Sequence, residues 1–150
     1  MKEAKSYENK KAFWGPFLFG VGIIAMIDGI IFHQLLQWHS VYMDTDRSHQ
    51  IMSDGLFHLF SLVILFIGGI LLWNRGELGS SRPQHIFWGA SLLGAGWFNF
   101  LEGIINHHLL QIHHVNQLSP NRLLFDFAYD ASGLLIILAG WLIYRKGKQG

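Results

Sequence analysis

Asp28-Gly-Ile-Ile-Phe-His33-Gln-Leu-Leu-Gln37-Trp-His39-Ser-Val41 lines up, 74 residues later, with Glu102-Gly-Ile-Ile-Asn-His107-His-Leu-Leu-Gln111-Ile-His113-His-Val115. An acid, a glycine, a histidine, a glutamine and a second histidine recur in register. Shared hydrophobicity alone would pair Leu with Leu and leave these polar positions unmatched. The match extends backwards, Gly20-Val-Gly22 pairing with Gly94-Ala-Gly96 at the same offset. Downstream it continues more weakly at an offset of 72, where Asp54-x-x-x-His58 faces Asp126-x-x-x-Asp130. Self-similarity of this length is read before any motif, because it dictates architecture.

Each copy lies within long apolar blocks. Four run through the chain, about 13–38, 51–73, 85–112 and 123–144, and a helix needs about 20 apolar residues to cross a bilayer core. Hydrophobic residues make up 51% and charged residues 14% of the 150-residue chain, too little polar surface to solvate four such blocks. The expected fold is therefore all-α: an integral membrane four-helix bundle, a single domain over 1–150. It would be built from two tandem helical hairpins, about 13–76 and 85–147. A repeat unit holding two spans inserts both copies the same way, giving parallel repeats about an axis along the membrane normal. The first block is too long for a signal h-region and no small-residue cleavage site follows it, so it is expected to be a retained span.

Charge sets the expected orientation. Lys2, Lys5, Lys10, Lys11, Arg75, Arg82, Arg145, Lys146 and Lys148 fall on one side of the spans, and only Arg47 and Arg122 on the other. The positive-inside rule then puts both termini in the cytoplasm of a multi-pass protein. With no cysteine, disulfides, thiolate metal sites and cysteine nucleophiles are excluded. A net charge of +1 points to no nucleic-acid partner; the lipid bilayer is the partner that the composition demands.

Helix rise and span direction gather the polar residues at one depth. Asp28 with His33, Asp54 with His58, Glu102 with His107, and Asp126 with Asp130 are all expected in the outer half of the bundle. Intramembrane acids are expensive, and no Lys or Arg lies within the spans to neutralise these five. They are either protonated or gathered round a cation. Four-helix bundles with inward carboxylates and histidines are a recurrent scaffold for paired metal ions, and imidazole with carboxylate suits Zn, Fe, Mn or Cu(II). The candidate metal ligands are Asp28, His33, Asp54, His58, Glu102, His107, Asp126 and Asp130, with His108, His113 and His114 at the way in. A lone histidine within a span is more often an interhelical hydrogen bonder than a ligand. Those at span ends, His39, His49, His85, His113 and His114, individually read as snorkelling side chains. The weight rests on the repeated set.

These three segments resemble a family of small bacterial membrane proteins defined only as a domain of unknown function, and the resemblance spans nearly the whole chain. It implies a bacterial plasma-membrane location. It also implies an association with cytochrome oxidase assembly factors that handle copper, hence a link to respiration. The function expected is a membrane metal-binding protein with a His/carboxylate, di-metal or clustered site of Cu, Fe or Zn, acting in redox chemistry or metal handling. If it is an enzyme, a metal-dependent oxidoreductase is expected ahead of a hydrolase. The alternatives are a membrane haem protein with axial histidines, a zinc-dependent membrane hydrolase, or a proton or cation relay, the last requiring a homo-oligomer.

Overall fold

The computed structural model describes residues 2–73 and 81–149. Four helices carry them: α1 (Lys2–Asp28), α2 (Arg47–Trp73), α3 (Ser81–Glu102) and α4 (Arg122–Gln149). There is no strand among the described residues, as the all-α reading requires. Of the two arginines expected between the second and third spans, Arg75 lies outside the described residues and Arg82 falls in the first turn of α3.

By length and composition, three helical stretches can cross a membrane: Ala12–Leu35, Arg47–Trp73 and Arg122–Gln149. α3, expected to be a span of equal standing, is not among them. Gly89, Ser91, Gly94, Gly96 and Asn99 dilute its apolar character, and all five are buried. α3 is the inner helix of its half. It packs on α4 and on α1, while α1 packs also on α2. The central α1–α3 crossing is backbone to backbone: a Cβ on Gly20 would strike the Ser91 carbonyl, and one on Gly94 the Phe17 carbonyl. Small residues at crossings are how membrane helices approach closely without a hydrophobic drive between them.

Burial is inverted relative to a water-soluble protein. Phe66 on α2 is 63% exposed and Leu135 on α4 is 67% exposed, whereas Asp28, His33, Asp54, His107 and Asp126 are buried. Soluble proteins rarely expose large contiguous apolar faces, and a hydrocarbon surround accounts for both halves of that distribution.

Two local features shape the functional end. α1 continues into a π-helical stretch, Gly29–Leu35, and α3 into another, Gly103–Leu109. Leu36 N–H donates to the Ile31 carbonyl and Leu110 N–H to that of Ile105, both at 2.8 Å. Residues five apart on an α-helix point about 140° from each other; the wider turn of i→i+5 hydrogen bonding brings them closer to one face. The π stretches therefore turn His33 towards Asp28 and His107 towards Glu102. Each stretch then ends sharply. Gln37 (φ 51°) and Gln111 (φ 50°) take the left-handed conformation. Trp38 N–H reaches back to Phe32 O at 2.9 Å, and Ile112 N–H to Asn106 O at 3.1 Å. These bonds span seven residues, one more than the six of a Schellman ending, after a π-helical stretch, with glutamine in the left-handed place where glycine is usual. It folds His39 and His113 back over the helix ends they follow.

Candidate metal centre

Two histidine–carboxylate triads result. The ligand atoms of Asp28, His33 and His39 lie within 4.8 Å of one another, as do those of Glu102, His107 and His113. Metal bonds of about 2.0–2.2 Å put two ligands of one ion at most roughly 4.4 Å apart, so a small side-chain adjustment closes either triad. Member by member, the triads are equivalent at the 74-residue offset. They meet through His39 and His113, whose rings stack with centroids 4.5 Å apart.

Hydrogen bonds assign the tautomers. His39 Nδ1 lies 2.8 Å from the Val115 carbonyl, and His113 Nδ1 2.8 Å from that of Val41. A carbonyl only accepts, so each Nδ1 carries the proton and a neutral ring leaves its Nε2 lone pair free. Burial, with His113 and His33 alongside, pushes the His39 imidazole down to about 2, so it is neutral. His33 Nδ1 lies 3.0 Å from Asp54 Oδ1, and its Nε2 faces Asp28 Oδ2 at 3.4 Å. Behind His107 stands Asp126, its Oδ1 3.8 Å from Nδ1, while Nε2 is 3.5 Å from Glu102 Oε1. Carboxylate or carbonyl behind histidine is the usual way a metal-binding imidazole is aimed and made more basic.

Two contacts need a positive charge to be favourable. His113 Nε2 lies 3.1 Å from Glu102 Oε1 although its Nδ1 already holds the ring proton, so lone pair meets carboxylate unless a cation or a second proton sits there. Both ring nitrogens of His107 are buried without a hydrogen-bond partner, and an orphaned buried polar group is costly. A metal ion bound through Nε2 would satisfy the first contact and one of the two His107 nitrogens. Among the described residues, the buried carboxylates meet histidines rather than any Lys or Arg.

Asp54 and Asp126 also fix the loops. Asp54 Oδ1 accepts the Val41 N–H at 2.8 Å, and Asp126 Oδ1 accepts the Val115 N–H at 2.9 Å. The remaining residues expected as ligands stand outside the triads. His58 turns its Nδ1 onto the backbone carbonyl of Asp54 at 2.9 Å. His108 pairs with Asp130, and His114 with Asp126, each at 2.7 Å, and both histidines keep some exposure. His39 is the member that reasoning residue by residue set aside; its match to His113 was the signal that could have found it.

Fold and buried polar centre define a helical membrane protein. Within that class, the chain belongs to the family of predicted membrane proteins DUF2243, whose sequence pattern covers residues 15–147. No curated protein and no solved structure matches it.

Proposed function

We propose that the protein holds two transition-metal ions side by side, one on Asp28, His33 and His39, the other on Glu102, His107 and His113. The observation that carries this reading is the double occurrence of a two-histidine, one-carboxylate triad with its lone pairs turned inward. That donor set suits iron, zinc or copper(II). Three protein ligands leave a coordination position open on each ion, the pattern of reactive rather than structural sites. Two neighbouring ions with open positions suit redox chemistry on a small molecule, or metal handling linked to respiration. Haem fits less well, because a carboxylate stands within each histidine pair.

Elemental analysis of protein purified in detergent without chelator is the test. About two ions per chain are expected, falling sharply in His107→Ala; chains free of metal when grown and purified in metal-replete medium would refute the reading. The proposed orientation follows the lysine and arginine distribution and puts the centre at the outer face. A cysteine replacing Leu118, exposed in the loop before α4, should react with an impermeant reagent from outside, and one replacing Lys148 should not. The reverse pattern would place the centre at the cytoplasmic face.

A further inference from the structure

Asp28 and Glu102 stand at equivalent positions, yet different groups hold them. The Tyr129 hydroxyl, buried on α4, lies 3.3 Å from Asp28 Oδ1 and 3.3 Å from the Asn99 side-chain oxygen. A hydroxyl carries one proton. The oxygen and nitrogen of an amide are interchangeable by shape, and rotating Asn99 gives a consistent chain. Asn99 N–H donates to Tyr129, and Tyr129 O–H donates to Asp28 Oδ1. The other carboxylate oxygen, Oδ2, is the one facing His33 Nε2. Glu102 instead accepts from Asn106 Nδ2, four residues along its own helix, at 3.1 Å.

Neither donor has a counterpart in the first half. The residues matching Tyr129, Asn99 and Asn106 at the repeat offsets are Phe57, Ala25 and Phe32. Phe57 stacks on His33, with centroids 5.4 Å apart. Tyr129 meets His107 edge-on at 5.3 Å, so its ring borders the second triad; its hydroxyl bonds Asp28 at 3.3 Å and also interacts, more weakly, with Glu102. The second half thus supplies the donors for both carboxylates.

We infer that Tyr129 is a positioning residue that makes the two ion sites inequivalent. It reaches across the bundle, occupies Asp28 Oδ1 and leaves Oδ2 as the single ligand oxygen, whereas Glu102, which the same hydroxyl approaches more weakly, accepts its hydrogen bond from Asn106 of its own helix. The inference rests on the two-ion reading above.

The test is cobalt(II) titrated into metal-free protein in detergent, read by binding stoichiometry and by the visible absorption of each bound ion. Wild-type protein should take two ions with different spectra. Tyr129→Phe should weaken one of them about 10–100-fold, the range usual for partners behind a ligand, and shift its absorption, with a smaller effect on the other. Asn99→Ala should weaken the same ion by less, and Asn106→Ala the other ion. Because Asn99 touches neither ion, its variant carries the test if Tyr129→Phe does not fold. Two ions bound by Tyr129→Phe and Asn99→Ala with wild-type affinities and spectra would overturn the inference and leave the two-ion reading standing, as would Tyr129→Phe weakening chiefly the ion that Asn106→Ala weakens. Wild-type protein that takes up no cobalt would overturn both.

Discussion

The imidazoles of His39 and His113 lie face to face, their planes within 5° of parallel. Each donates its Nδ1 proton to a carbonyl of the opposite loop, Val115 for His39 and Val41 for His113. Those valines are in turn held by Asp126 and Asp54. Every triad therefore contains a ligand aimed by the other half of the chain.

Removing one ring of the stack should be felt on both sides. His39→Ala deletes a ligand of the first triad and takes away the face on which His113 rests. Loss of one ion, with roughly 10-fold weaker binding of the second, is the expected outcome in a metal titration of His39→Ala. Undiminished affinity at the second site would show that the stack does not couple the sites.

The carboxylates should behave differently, since each serves one triad. Asp28→Ala and Glu102→Ala are each expected to retain one ion, and the double variant none, additive as for sites without shared partners. Elemental analysis of the three variants decides it. Complete loss in either single variant would mean one shared ion in place of two.

Gln37 and Gln111 hold the left-handed conformation, which strains a residue with a Cβ by about 1–2 kcal/mol. Glycine at position 37 relieves that strain and adds backbone freedom to the unfolded chain, so Gln37→Gly should melt within about 1 kcal/mol of the parent. Gln37→Val, with a branched Cβ, should lose more than 1 kcal/mol and carry less metal, because His39 follows two residues on. Equal melting of the two variants would argue against the turn.

Asp46 caps α2: its Oδ1 accepts the Ser48 N–H at 2.9 Å and the His49 N–H at 3.2 Å, and its other oxygen pairs with the His49 ring. The His49 side chain, then the His49 and Ser48 backbone N–H groups, hold the carboxyl below its usual 3.8. A depressed carboxyl favours the folded state above its unfolded pKa, and that contribution disappears as pH falls through the lower, folded value. The difference in melting temperature between wild type and Asp46→Ala should therefore be full at pH 5 and shrink below about pH 3.8. A difference that grows on acidification would contradict this sign.

The helical character and the polar repeat were open to reading because both are periodic: apolar blocks of span length, and Asp28, His33, Glu102 and His107 in register. Three things were not. The π stretches carry no sequence mark, since Gly-Ile-Ile-x-His is equally a sequence for an α-helix, and only the hydrogen-bond register aims His33 and His107. His39 follows a span end, where histidine ordinarily snorkels; the left-handed Gln37 is what returns it to the interior. Tyr129 is one aromatic in an apolar block, and nothing in its neighbours announces that its hydroxyl meets Asp28. α3 carries the repeat as plainly as α1, but its buried glycines and Asn99 lower its apolar character below that of the other three helices.

The crossed bonds from His39 to Val115 and from His113 to Val41 also bear on how the chain is made. A ribosome delivers Asp28, His33 and His39 to the membrane long before Val115 is synthesised. Until the second loop arrives, His39 has no carbonyl to fix its proton on Nδ1 and no ring to stack against. Val115 in turn awaits Asp126, which comes with the last helix. The first triad, whose last member is His39, reaches this geometry only once the second loop and α4 are in place, so on the two-ion proposal a chain halted before α4 would not be competent to capture an ion.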